Sequence, residues 1–162
     1  QGRDTPGEWV VTFYKAFGLW DTICDERKTG LALEERCYMR YVEVFSPRPK
    51  FAAQFVFVTL SDGEAKVDFG IERGTEFADD GYAILLKGDV IWQTEDTGCL
   101  NGRACTYLGG EADALLDQMS QGDAFEFRFT DPHGQAQQLT WGLQLFADGL
   151  SVLRQETDAR GL

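Results

Sequence analysis

Apolar and polar residues alternate with a period of two along most of the chain, and turn-forming residues interrupt the alternation about every eight to twelve positions. Alternation of this kind is typical of antiparallel strands that bury one face. One run, Phe55 to Val58, is apolar on both faces and predicts a central strand. The expected strands are Trp9 to Tyr14, Leu19 to Cys24, Glu35 to Phe45, Phe51 to Leu60, Ala65 to Ile71, Tyr82 to Leu86, Val90 to Thr94, Phe125 to Phe129 and Leu139 to Leu143.

Two segments depart from this alternation and have helical spacing. Residues 111–121 place Leu115, Leu116 and Met119 on one face, carry acids in the first turn and are followed by Gly122 as a stop signal. Residues 146–157 repeat the spacing with Phe146, Leu150 and Leu153. The pattern therefore predicts a mainly β protein: an antiparallel β-sandwich of jelly-roll-like type, with one short helix near 111–121 and a C-terminal helix.

Length and composition predict a single domain. The chain has 162 residues, of which 43% are hydrophobic and 13% aromatic, which excludes a disordered chain. A chain of this length buries about 70% of its unfolded surface on folding. Because no repeat or linker divides it, we expect one domain over residues 1–162, with flexible ends at 1–6 and 158–162.

The charge is strongly acidic and unevenly distributed. Twenty-seven acids against 15 lysines and arginines give a net charge of −12. Residues 1–50 are balanced, whereas residues 51–126 carry almost all of the excess. This field would repel a phosphate backbone, so nucleic acid is not an expected partner. The acidic surface predicts solubility, with attraction of a cation or a basic partner as the alternative. No apolar run is long enough for a transmembrane segment.

Four cysteines, Cys24, Cys37, Cys99 and Cys105, allow three disulfide connectivities. Cys24 and Cys37 lie in two strand-like stretches joined by a turn-rich segment, as cross-strand neighbours in a hairpin would. Cys99 and Cys105 flank Asn101-Gly102, which favours a tight turn. We therefore expect two local disulfides, Cys24–Cys37 and Cys99–Cys105. Zinc is the alternative, but neither spacing matches the usual C-x2-4-C pairs.

Disulfides of this kind indicate an oxidising compartment, so we expect a periplasmic or secreted protein. The sequence has no basic segment followed by an apolar one at its start, so for an exported protein the signal peptide has been removed from this numbering.

The search for chemistry gives no catalytic constellation and no cofactor motif. His133 is the single histidine, lies in a turn-forming segment, and no Gly-x-Ser-x-Gly occurs. Carboxylate pairs for glycan hydrolysis are too abundant among 27 acids to be specific. A calcium loop is the remaining alternative, although its acids lack the Asp-x-Asp-x-Asp-Gly order; they are Glu72, Glu76, Asp79 and Asp80. We therefore expect no catalytic residues, metal or cofactor.

The aromatic residues are expected mainly in the core, because most share a strand face with other apolar residues. Trp92 is the exception, since it precedes the acidic pair Glu95 and Asp96 and the second cysteine pair. These three residues are the candidate ligand-binding group.

Several motifs occur in an order that resembles one family. They are Trp20 to Asp25, Cys37 at the head of a strand, Cys99 to Cys105 followed by Leu115-Leu116 and Gly122, and a terminal Leu143 to Ala147. This order resembles the invasion-associated locus B family of exported proteins from Gram-negative bacteria. The resemblance implies a periplasmic or envelope-associated β-sandwich with paired cysteines and no established catalytic site. Leu145 stands where the family pattern has glycine.

The sequence thus predicts a non-enzymatic, disulfide-stabilised envelope protein that binds another envelope or extracellular component, either a protein or a glycan. Its ligand and oligomeric state stay open. The alternatives are an extracytoplasmic glycan hydrolase that uses two carboxylates and a calcium-dependent adhesion module.

Overall fold

The computed structural model describes residues 8–45, 52–71, 82–94, 105–130 and 134–162. Within these ranges the chain forms ten strands and two helices. The strands are β1 (Val10–Phe17), β2 (Trp20–Thr29), β3 (Ala32–Phe45), β4 (Ala52–Ser61), β5 (Glu64–Ile71), β6 (Tyr82–Leu86), β7 (Asp89–Thr94), β8 (Cys105–Leu108), β9 (Ala124–Thr130) and β10 (Ala136–Gly142), and the helices are α1 (Gly109–Gln121) and α2 (Phe146–Arg160).

The described strands form two antiparallel sheets. The larger has six strands in the order β1-β2-β3-β4-β5-β8, and the smaller has four in the order β10-β9-β6-β7. The first five strands of the larger sheet follow one another as a meander, in which each strand pairs with the next. The predicted mainly β class, with antiparallel sheets and two helices, is confirmed. β4 lies between β3 and β5, as its run of apolar residues predicts.

The core lies between the sheets and the helices. On the larger sheet, Trp20, Met39 and Val58 have no exposed surface. Aromatic contacts connect this face to the smaller sheet: the Tyr41 and Trp141 ring centroids are 6.3 Å apart, and Phe125 stacks on Trp141 at 5.1 Å. Burial of large aromatic rings contributes much of the apolar area removed from water. One continuous cluster therefore joins both sheets.

α1 packs its apolar side against the edge of the larger sheet. It begins two residues before the expected segment, and it contacts β5, β8 and α2. The buried residues are Ala112, Leu115, Leu116 and Met119, which is the spacing that the sequence predicts. Gly122 follows the helix directly, as expected of a stop signal.

α2 lies across β2 and β3. Gly149 makes a close approach possible, because a Cβ atom there would lie 3.0 Å from the Met39 sulfur. The Thr22 hydroxyl donates a hydrogen bond of 3.1 Å to the Gly149 carbonyl, and Trp20 Nε1 donates one of 2.8 Å to the Gly142 carbonyl. α2 continues to Arg160, and the Leu162 side chain packs against the core. These contacts hold the last part of the chain against the sheet.

Neither described helix is long and apolar enough to cross a membrane.

Candidate interaction surface

The larger sheet has one face toward the core and one face away from the helices, which we call the outer face. Its central feature is a row of three ion pairs between β2 and β3. Each pair joins directly opposed residues: Asp21 with Arg40, Asp25 with Arg36, and Arg27 with Glu34. The distances from each arginine Nε to its carboxylate oxygen are 3.3, 2.7 and 2.7 Å, in the same order. The row fixes three guanidinium groups in defined positions on the sheet.

Asp25 holds the strongest of these pairs. Its side chain is only 5% exposed, while that of Arg36 is 43% exposed. Arg36 donates to both carboxylate oxygens, at 2.7 and 3.2 Å, so the pair is bidentate. Because a buried carboxylate without a partner is costly, loss of this contact would leave Asp25 with an uncompensated polar group inside the sheet.

Aromatic rings lie beside the arginines. Trp9 packs under two of them: its ring centroid is 3.7 Å from the guanidinium carbon of Arg36 and 4.6 Å from that of Arg27. Tyr14 is 57% exposed, and its hydroxyl donates a 2.8 Å hydrogen bond to Asp21. The outer face thus presents planar charged groups and ring edges together.

The aromatic strip continues onto β4. The Tyr38 and Phe57 centroids are 6.3 Å apart, and Phe57 lies 5.6 Å from Phe55. Both phenylalanines are half-buried, and Val42, which is directly opposite Phe55, is exposed. Arg40 is directly opposite Phe57 and therefore lies between the ion pairs and this strip.

Three titrating side chains on the outer face are shifted by their neighbours. Hydrogen bonds from Arg27 and Thr29 lower the pKa of Glu34 below its ordinary value. The hydrogen bond to Asp21 raises the pKa of Tyr14, and burial raises the pKa of Tyr38. At neutral pH both tyrosines are therefore uncharged hydrogen-bond donors, and Glu34 is a carboxylate.

The cysteines are partly described. Cys24 and Cys37 form a disulfide between directly opposed positions of β2 and β3, and both are buried. This is the first of the two pairs that the sequence predicts. Cys105 begins β8, but its side chain and all of Cys99 lie outside the described residues. The Cys99–Cys105 disulfide stays a prediction.

The candidate group around Trp92 is not tested. Trp92 lies in β7, directly opposite Ile84 of β6, while its side chain lies outside the described residues. Glu95 and Asp96 also lie outside them.

The single histidine, His133, and the acids of the possible calcium loop lie outside the described residues. Those acids are Glu72, Glu76, Asp79 and Asp80. Across the described part of the chain, no group of three or more histidines, cysteines and acids could hold a metal ion.

Sequence reasoning missed the outer face, although its signal was present. Once Cys24 faces Cys37 in a regular antiparallel hairpin, Asp25 must face Arg36 and Asp21 must face Arg40. The same register places Arg27 opposite Glu34, so the predicted disulfide also predicts all three ion pairs.

These features define a class of protein: a two-sheet antiparallel β domain with two helices, a disulfide across its main hairpin, and an exposed sheet face of ion pairs and aromatic rings. The protein-family models and the curated proteins gave no match to the sequence. Among solved structures, the chain is similar to invasion associated protein B from Bartonella henselae, with a TM-score of 0.62 and 18% sequence identity. The match covers 91% of this chain and 99% of that one. The resemblance expected from the sequence motifs is confirmed at the level of the fold.

Proposed function

We propose that this protein is a non-enzymatic, extracytoplasmic domain that binds another envelope or extracellular component through the outer face of its larger sheet. The observation that carries the proposal is the fixed array of arginines and aromatic rings on this face. Arginine and aromatic side chains are enriched where proteins recognise partners, because the rings bury large areas and the guanidinium group offers several hydrogen-bond donors in one plane.

Two further features support an extracytoplasmic location. The buried Cys24–Cys37 disulfide is of the kind that persists in oxidising compartments. The fold is similar to that of an invasion associated protein from a bacterium. A second contact region around Trp92, Glu95 and Asp96 belongs to the same proposal, which expects weaker binding of a Trp92→Ala variant to isolated cell envelopes than of the wild type.

Photo-crosslinking in the producing cells tests the proposed face. In one variant a benzophenone amino acid replaces Val42, which is exposed and apolar on the outer face. In a matched control variant it replaces Thr140, which is exposed on β10 of the other sheet. We expect a discrete adduct from position 42 that excess purified protein suppresses and that Arg40→Ser removes. Equal adducts from both positions, or an adduct that the Arg40→Ser variant keeps, would contradict the proposal.

An activity screen separates this proposal from the glycan-hydrolase alternative. Purified protein is incubated with peptidoglycan and oligosaccharides, and released products are measured by mass spectrometry. We expect no turnover. Reproducible turnover that a single Asp or Glu substitution abolishes would overturn the non-enzymatic assignment.

A further inference from the structure

The end of the β2–β3 hairpin extends beyond the core. Cys24 and Cys37 are the last directly opposed pair of these strands that is buried on the core side. β4 pairs with β3 only from Tyr38 onward, and its last residues, Leu60 and Ser61, form no described pair with β3, so among the described residues that edge of Ala32 to Cys37 has no backbone pairing. We call residues 26–35 the hairpin end. The disulfide closes its base, and one edge of its backbone is unpaired by any described strand.

Apolar side chains are exposed on this hairpin end. Leu31, at the turn, is fully exposed, and Leu33 is 52% exposed. Val10 of β1, which is 58% exposed, lies directly opposite Glu26 on the neighbouring strand. An exposed edge with apolar side chains is a template for pairing with another extended chain.

Two carboxylates lie among these apolar residues. Glu26 and Glu35 are directly opposed. Each lies two residues nearer the turn than Cys24 or Cys37, on the same side of the sheet as these cysteines. Like charges at directly opposed positions repel one another. Neither carboxylate has an ion pair or side-chain hydrogen bond within the described part of the chain. A cation from a partner would relieve this repulsion.

The charges identify the occupant. Arg27 and Arg36 are already paired with acids on the outer face, and the opposite side of the hairpin end carries Glu26 and Glu35 against one cation, Lys28, so negative charge is in excess there. The whole chain carries a net charge of −12, which attracts a basic partner and opposes a second copy. Leu33 and Glu35 are two residues apart and lie on the same side of β3. Alternate side chains of a strand added beside β3 would therefore lie next to an apolar residue and then an acidic one.

We propose that the hairpin end binds a basic, extended segment of a partner protein, which adds as a strand beside Ala32 to Arg36 with its cationic side chains at Glu26 and Glu35 and its apolar side chains at Leu33. The proposal rests on the proposed binding function and names a contact separate from the outer face.

Peptide titration of the full chain tests the proposal. The probe is the capped peptide Lys-Thr-Leu-Thr-Lys-Thr-Leu-Thr-Lys, in which lysine and leucine alternate on one side of an extended strand. Controls replace every lysine with glutamate, or every leucine with serine. Calorimetry measures affinity, and backbone amide shifts locate the contact. We expect binding at the hairpin end and at least fivefold weaker binding of both control peptides.

Matched variants test the site. Glu26→Gln with Glu35→Gln should weaken binding about fivefold or more, because two favourable charge contacts are lost. Asp113→Asn with Asp117→Asn removes the same charge from the exposed side of α1 and should leave affinity unchanged. Thermal unfolding verifies that both double variants fold.

Several outcomes would overturn the proposal. One is that the backbone amide shifts are confined to α1. Another is that the peptide with serine in place of leucine binds as tightly as the original peptide. A third is that the two double variants lose the same amount of peptide affinity. Binding to phosphatidylcholine vesicles that Leu31→Ser abolishes would assign the hairpin end to a lipid surface instead. A concentration-dependent dimer that the same variant removes would assign it to a second copy. If Arg40→Ser removes the outer-face adduct and leaves peptide affinity unchanged, the two sites are independent, so failure of one does not imply failure of the other.

Discussion

Leu145 precedes α2 in the left-handed region, with φ of 61° and ψ of 8°. This conformation costs an L-residue with a side chain about 1–2 kcal/mol and costs glycine little. The family pattern that the sequence resembles has glycine at this position. The Leu145 side chain is half exposed, so little packing compensates for the backbone conformation.

We predict that Leu145→Gly is more stable than Leu145→Ala by about 1 kcal/mol, because both lose the same exposed side chain and only alanine keeps the left-handed strain. Urea denaturation of the two variants measures the difference in free energy of unfolding. Equal stability would show that the backbone at this position relaxes without cost.

The Asp25–Arg36 pair should contribute more stability than the other pairs of the row. Arg36→Met leaves a buried carboxylate without its bidentate partner, and we predict a loss of about 2–3 kcal/mol in the free energy of unfolding. Arg40→Met is the matched control, because the Asp21 side chain is 25% exposed and accepts a longer bond; its loss should stay below about 1 kcal/mol. Chemical denaturation measures both, and equal losses would contradict the difference in burial.

The lowered pKa of Glu34 gives a pH-dependent prediction. The pKa of Glu34 is lower in the folded protein than in the unfolded chain. Glu34 therefore stabilises the fold at pH values above the ordinary glutamate pKa, and this stabilisation is lost as the pH falls through the lowered pKa of the folded state. Arg27→Gln should raise the pKa of Glu34 toward the ordinary value, because the charged hydrogen bond from Arg27, the main cause of the lowered pKa, is removed. Carboxyl NMR titration measures it, with Arg160→Gln as the control that should leave Glu34 unchanged.

At the scale of elements, the β2–β3 hairpin organises the larger sheet. Its disulfide joins directly opposed residues, its outer side carries the ion pairs, and its core side supports α2. Its free end carries the proposed peptide contact. One hairpin therefore presents two separate surfaces.

We predict that Cys24→Ala with Cys37→Ala lowers the free energy of unfolding by about 3 kcal/mol, since the bond closes a loop with a sequence separation of 13. The reduced wild-type chain should lose at least as much, because the reductant also opens the predicted Cys99–Cys105 disulfide. Urea denaturation with and without reductant measures both. A loss below about 1 kcal/mol in both samples would show that the hairpin needs no covalent closure.

Local pattern was enough to predict several elements. β4 was predicted as central because both of its faces are apolar, and α1 because its buried residues follow helical spacing. The pairing of β5 with β8 joins segments far apart in the chain, and no local signal specifies such a pairing. The ion pairs of the outer face depend on the register between β2 and β3, which the positions of single charged residues along the chain do not specify.

In the whole molecule, the two sheets have different roles. The smaller sheet contributes Phe125 and Trp141 to the core, and the larger sheet contributes both core residues and the exposed surface of arginines and rings. The main predicted contact, at the outer face, therefore belongs to the larger sheet.

Equilibrium binding of fluorescently labelled protein to isolated cell envelopes of the producing organism tests this claim most directly. Val42→Asp and Thr140→Asp each add one negative charge at an exposed strand position, the first on the outer face and the second on the smaller sheet. The account predicts saturable binding by the wild type, at least tenfold weaker binding by Val42→Asp, and affinity within about twofold of wild type for Thr140→Asp. Equal affinity of the two variants, both folded by circular dichroism, would contradict the claim that the outer face binds the partner.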